Sequence, residues 1–175
     1  MARVCRPAPV GGARAGAGAG GVKYATHATP AGPFTVLADG DGVVHAGGWT
    51  TDPEALLALV AAPLRPAALR GRREVGAASR ALEAYLAGDL AAVDAVPVRQ
   101  ASGPLVERGW AVLRELAPGA PVTYADLAER CGRPGAARAA AAACGRNAVA
   151  LYVPCHRVVR TGGALGGYRW GLDVK

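Results

Sequence analysis

The sequence predicts an α+β fold in which a small mixed α/β part precedes a helical one. Three patterns carry this reading. Short apolar and β-branched segments separated by turn signals run from residue 23 to 49, helix-period apolar spacing follows, and two short helices joined by a glycine-containing turn lie between residues 123 and 145. At 175 residues and 51% hydrophobic, but only 5% aromatic, the chain is long enough for a real core built mostly from Leu, Val and Ala.

Residues 1–22 (MARVCRPAPVGGARAGAGAGGV) lack any apolar period, so ordering them gains little against the entropy lost, and a flexible tail is expected. From Lys23, the turn signals Ala-Gly-Pro and Asp-Gly-Asp-Gly divide the chain into a small antiparallel meander. Pro53 and Glu54 open the run ALLALVAAPL as a helix. Ala77 to Leu86 predicts another, with Leu82, Tyr85 and Leu86 on one face and Gly88 as its stop. This gives an N-terminal domain over 23–100.

A linker leads into a helix from Leu105 to Leu116, with Leu105, Trp110, Leu113 and Leu116 at helical intervals and Pro118-Gly119 as its stop. Thr123, with Asp126 three residues on, forms a capping box for the next helix. GRPG makes a turn, and Pro134 starts a second helix closed by Gly145. The pair reads as a helix-turn-helix or as an ordinary helical hairpin. Against the hairpin stands a second helix with almost no side chain larger than Ala except Arg138, which offers little to anchor it in a core but could approach DNA closely. The domain spans 104–175.

The net charge of +7 is uneven: Arg3, Arg6, Arg14 and Lys23 make residues 1–23 basic at +4, residues 24–103 carry −2, and residues 104–175 carry +5. A basic C-terminal part beside a slightly acidic one suits a polyanion-binding module. The preference for Arg over Lys (18 to two) is equally what a GC-rich genome would give. The absence of an apolar run of about 18 residues excludes a spanning helix, and the first twenty residues offer no signal-peptide stretch, so a soluble cytoplasmic protein with no membrane partner is expected.

Without a secretion signal, Cys5, Cys131, Cys144 and Cys155 are expected as free thiols. After Asn147 and the strand-like run AVALYV comes Pro154-Cys155-His156-Arg157-Val158-Val159. A thiol becomes a nucleophile when an imidazole or cation lowers its pKa, and Cys155 alone has His and Arg as direct neighbours. The alternative is a buried cysteine packing like a small hydrophobe, as expected for Cys131 and Cys144. Adjacent residues on an extended segment point in opposite directions, so Cys155 and His156 meet only if the chain bends. With His27, His45 and His156 as the only histidines and no closely spaced Cys pair, no metal site is expected. The cysteine signature of papain-type proteases is also missing.

The segment Val153 to Val159, followed by Gly162-Gly163-Ala164-Leu165-Gly166-Gly167-Tyr168-Arg169-Trp170-Gly171-Leu172, resembles the active-site block of the O6-alkylguanine-DNA alkyltransferases (methylated-DNA-protein-cysteine methyltransferases). Pro-Cys-His-Arg is highly specific to that family when it follows a helix-turn-helix and an Asn. The resemblance covers 104–175 clearly and 24–103 only by general character. It implies a ribonuclease-H-like N-terminal domain followed by a winged helix-turn-helix-like alkyltransferase domain.

It further implies that Cys155 accepts an alkyl group from guanine O6, and from thymine O4, in double-stranded DNA, in a single turnover without cofactor and as a monomer. His156 would be the base acting through a water, and Tyr124 would crowd a phosphate and donate a proton to the guanine ring. Arg138 would fill the gap left by the rotated nucleotide, and Asn147 would brace the active-site turn. Tyr168 and Arg169 would close over the alkylated base. The DNA-facing set so implied is Arg138, Tyr124, Ala137, Asn147 and Arg157, and the pocket set is Asn147, Val158, Tyr168 and Arg169.

An extruded base is what such chemistry requires, because the alkyl group lies inside the stack. Two departures stand out. The family's glutamate that holds the histidine lies on a helix beyond the Tyr-Arg-Trp-Gly-Leu segment, and the chain stops at Lys175, before it, so the domain reads as truncated. Ala150 varies the pocket wall. The competing readings are a non-repairing sensor of alkylated DNA, an inactive truncated homologue, and an ordinary helix-turn-helix regulator. The last needs base-reading side chains that the second helix lacks.

Overall fold

The computed structural model describes residues 21–175. The tail expected over 1–22, and with it Cys5, lies outside the described residues except at its end, where Val22 already opens the first strand. Strands β1 (Val22–His27), β2 (Phe34–Ala38) and β3 (Val44–Gly48) form the expected antiparallel meander, with Lys23 opposite Ala38 and Leu37 opposite Ala46. Its turns follow from local chemistry. Thr29 Oγ1 donates to the Gly32 carbonyl at 2.6 Å, and Asp39 Oδ1 accepts from the amides of Asp41 and Val43 around Gly42, whose φ of +78° suits glycine. Every residue of β2 and β3 is buried, so this half of the sheet is covered on both faces.

The helix expected from Pro53 through the following apolar run is shorter: α1 covers Pro53–Leu57, capped by Asp52 Oδ1 at 2.9 Å from the Glu54 amide. Pro63 and Pro66 cannot continue it, and the Arg65 guanidinium takes up the Val60 and Ala58 carbonyls that the helix end leaves free. The chain then adds a three-residue edge strand, β4 (Leu69–Gly71), parallel to β1, giving the order β3-β2-β1-β4. Helix α2 (Ala77–Leu86) has the predicted bounds. Its buried face is Ala78, Ser79, Ala81 and Leu82, while Leu86 is exposed, because β2 receives the helix on its N-terminal half.

The C-terminal part holds α3 (Pro104–Arg114), α4 (Tyr124–Arg130) and α5 (Ala137–Gly145), with β5 (Val122–Thr123) parallel to β6 (Val158–Val159). The Thr123 capping box forms as expected: Thr123 Oγ1 accepts from the Asp126 amide at 3.1 Å, and Asp126 Oδ2 accepts from the Thr123 amide at 2.8 Å. Pro134, expected to start the second helix, instead lies in the turn between Gly132 (φ +74°) and Gly135 (φ +81°), so α5 begins at Ala137. Nor is α5 unanchored. Ala140 and Ala143 are buried against α3, Trp110 Nε1 donates to the Ala143 carbonyl at 2.8 Å, and the contact is so close that a Cβ on Gly109 would lie 2.5 Å from the Ala143 Cβ. Small residues there are what let two backbones meet.

The run AVALYV is not a strand. Val149 forms one parallel bridge to Gly47, the Ala150 amide donates to the Gly47 carbonyl, and the Gly47 amide donates to Ala148. With Tyr152 Oη donating to the Ala78 carbonyl at 2.8 Å, this segment fastens the two parts of the chain into one buried cluster. No helix among the described residues is long and apolar enough to cross a membrane.

Candidate active site

The segment between α5 and β6 is a chain of tight turns. Leu151, buried, has φ +70°, and the Tyr152 amide donates to the Ala150 carbonyl across it, a γ-turn in the strained positive-φ region. Two residues on, the Cys155 amide donates to the Val153 carbonyl across Pro154 (φ −81°, ψ 62°), the inverse γ-turn. Cys155 to Arg157 then form one 3-10 turn. Backbone held this way in sparsely populated regions points to a site whose geometry the surroundings enforce.

Asn147 organises these turns from inside. Its Nδ2 donates to the Val153 carbonyl at 2.8 Å and to Cys155 Sγ at 3.2 Å, and its Oδ1 accepts from the Val149 amide at 3.0 Å and from Gln100 Nε2 at 3.1 Å. Cys155 is 8% exposed. Burial pushes its thiol up, and the Asn147 hydrogen bond and the Lys175 and Arg169 charges pull in the opposite direction.

Although the chain bends at Cys155, no hydrogen bond joins His156 directly to the thiol. Its Nδ1 is buried without a partner, and among the described residues no carboxylate lies within ion-pair distance of it. Burial first, then the Arg157 and Lys175 cations, push its pKa down to about 4, so the imidazole is neutral at physiological pH.

Above the thiol opens a cavity of about 360 Å³, within the roughly 300–1,000 Å³ usual for small-molecule pockets. Asn147, Tyr168, Arg169 and Tyr124 line it, together with residues the sequence reading missed: Ala141, Cys144 and Trp170. The β5–β6 pair explains part of this convergence. Val122 pairs with Val158, so Tyr124 and Cys155 lie within three residues of the same rung. Burial raises the Tyr124 phenol, whereas the Arg160 cation near its ring pulls the other way. Arg169 Nη2 donates to the Gly145 carbonyl at 2.7 Å, tying the 166–171 loop to the end of α5.

The same loop leans on the N-terminal sheet. Trp49 and Tyr168 meet edge-on at 6.3 Å, and a Cβ on Gly48 would lie 2.0 Å from the Trp170 ring, so only glycine admits that ring against β3.

Three expectations need correction. Arg157, expected on the DNA, is buried at 6% exposure and donates to the Leu116 carbonyl; the 3-10 turn points it inward. Val158, expected in the pocket, is fully buried in the β5–β6 pair behind it. Cys131 and Cys144, expected to be the buried thiols, are half-buried, and it is Cys155 that is enclosed. Burial nonetheless pushes Cys144 up to about 12. Arg138 is exposed and Ala137 half-buried, both in the first turn of α5. No group of three or more potential metal ligands occurs among the described residues.

Residues 104–175 match the family described as 6-O-methylguanine DNA methyltransferase, DNA binding domain. The methylated-DNA–protein-cysteine methyltransferase of Shigella flexneri is 35% identical over 150 residues, covering 85% of this chain and 88% of that one. The chain belongs to that family. A second member, from Mycobacterium bovis, is 32% identical over 157 residues and 88% of both chains. Among solved structures, the O6-methylguanine methyltransferase of Mycobacterium tuberculosis superposes with a TM-score of 0.68 at 29% identity, covering 87% of each chain. The complex of the M. tuberculosis protein with DNA gives 0.67 over 84% of each. The mixed α+β fold is therefore that of its family.

Proposed function

We propose that the chain repairs alkylated DNA in a single turnover, moving an alkyl group from guanine O6, and by the same chemistry thymine O4, onto Cys155. The observation that carries this reading is the Cys155 thiol at the floor of the cavity with the Asn147 amide donating to it. An extruded base would enter between Tyr124 and the 166–171 loop. The Cys155 sulfur would attack the alkyl carbon as the carbon–O6 bond breaks, giving a thioether. The thiol proton would pass through water to His156, and the leaving guanine would take a proton from Tyr124.

Arg138 supports a duplex substrate. It is a cation in the first turn of α5, where the helix dipole disfavours positive charge by about 0.3–1 kcal/mol, so stability does not explain its place, and it is free to occupy the vacancy an extruded base leaves. The division into 23–100, ribonuclease-H-like, and 104–175, winged helix-turn-helix-like, is part of the same reading. It is supported by the meander with its parallel edge strand and α2, and by α4–turn–α5 flanked by the β5–β6 pair.

A second reading, a sensor that binds alkylated DNA without repairing it, is favoured by the neutral, unpartnered His156 and the raised thiol. Incubation with duplex DNA containing O6-methylguanine, followed by peptide mass spectrometry, separates the two. One added methyl on the Cys155 peptide is the expected result. A methyl on Cys131 or Cys144 would overturn the site, and intact DNA binding without transfer at any pH would establish the sensor.

A further inference from the structure

We infer that Gln100 is a positioning residue for the thiol, acting through Asn147; the inference rests on Cys155 being the alkyl acceptor. Gln100 precedes α3 and is remote in sequence from the turns it touches. Its Oε1 accepts from the Ala148 amide at 2.8 Å, and its Nε2 donates to Asn147 Oδ1 at 3.1 Å.

Neither amide can turn over freely. Gln100 Oε1 faces a backbone N–H, which can only donate, and that directs Nε2 toward Asn147. Asn147 Oδ1 in turn receives two donors, Gln100 Nε2 and the Val149 amide, and that directs Nδ2 toward the Val153 carbonyl and the Cys155 sulfur. A reversed Asn147 would set its oxygen against Sγ and against a carbonyl, and would leave the Val149 donor unpaired in the interior.

The two amides thus form a directed chain from the Ala148 N–H to the sulfur. Each bond polarises the next, so the donor at the thiol is both aimed and strengthened by Gln100. Because that bond favours the thiolate, Gln100 lowers the pH at which Cys155 becomes reactive. The region around Val98 is itself held by its bridge to Val44 of β3, so the first domain's sheet supports this link.

The test uses the full chain and reads the pH profile of single-turnover methyl transfer from duplex O6-methylguanine, with iodoacetamide alkylation of Cys155 as a second readout. Gln100→Ala should shift both profiles to higher pH, with about a tenfold loss at pH 7.5 that shrinks as pH rises, tenfold being one pKa unit. Gln100→Glu keeps the shape and the acceptor to Ala148 but faces Asn147 Oδ1 with a carboxylate, inviting the reversed amide. It should be slower than Gln100→Ala.

In an Asn147→Ala background neither substitution should slow the reaction further. Profiles of wild-type shape, a uniform loss at every pH, or an equal loss in the Asn147→Ala background would each overturn the role of Gln100. Absence of methyl on Cys155 in the unaltered chain would overturn the underlying reading instead.

Discussion

Gly109→Ala adds a single carbon where α3 crosses α5, and the structure sets its consequence. The new Cβ would start 2.5 Å from the Ala143 Cβ, where ordinary contact begins near 3.4 Å, so the two helices must part by roughly 1 Å. The Trp110 Nε1 bond to the Ala143 carbonyl, 2.8 Å long, spans the same gap and lengthens with it. Overpacking of this kind costs about 1–3 kcal/mol, and a weakened hydrogen bond adds about 0.5–1.5 kcal/mol. A loss near 2 kcal/mol lowers the melting temperature of a chain this size by roughly 4–8 °C.

Because α5 carries Arg138 and the Cys144 wall of the cavity, methyl transfer from duplex DNA should fall together with stability. The decisive assay pairs thermal denaturation of Gly109→Ala with that of Gly109→Ala/Ala143→Gly. Removing the opposing methyl reopens the gap at a helix-propensity cost of about 1 kcal/mol, so the double variant should melt above the single one. If the single variant melts with the unaltered chain, or the double loses the sum of both single costs, the close-contact account of α5 is wrong.

Four further outcomes are expected. Arg138→Ala should impair repair in duplex DNA far more than reaction with a free alkylated base, as parallel single-turnover rates will show. Arg157→Met should leave the salt dependence of duplex binding unchanged, whereas loss of a phosphate contact would reduce the slope by about 0.9. Because burial raises Cys155, the transfer rate should climb from pH 6 to pH 9, and a rate already flat at pH 7 would show that the thiol ionises more easily than its surroundings suggest.

His156 has a folded pKa of about 4, below the unfolded 6.5, so the unfolded chain binds the extra proton between those values. Stability is then present above pH 6.5 and is lost as pH falls toward 4, by about 3 kcal/mol. Melts of the unaltered chain should fall as the pH drops through that window, whereas His156→Gln, which has no ring to protonate, should lose that part of the pH dependence, so the unaltered chain loses ground to the variant as the pH falls.

What the sequence made legible was local. The Thr123 capping box and the bounds of α2 each rest on residues a few positions apart, and each was found in place. What it hid depends on distant partners. Gln100 meets Asn147 from 47 positions away, Trp170 reaches Gly48 across the chain, and the anchoring of α5 depends on a glycine in another helix. The run AVALYV has strand composition, yet its backbone is bent by γ-turns, because the bonds to Gly47 and Asn147 outweigh β propensity there. Arg157 looked like a surface cation because charge alone does not say which way a 3-10 turn faces.

The seating of Trp170 on Gly48, with the Gly47 bridge beside it, bears on how the molecule comes apart. One wall of the cavity is supported by a strand from the other end of the chain, so the sheet cannot melt first and leave a working site behind. Loss of the meander and loss of the cavity should form a single cooperative event, with protection of the β3 amides from hydrogen exchange matching that of the Val149 and Val153 amides. For the same reason residues 104–175 expressed alone would keep the nucleophile but lose the surface that holds the 166–171 loop over it.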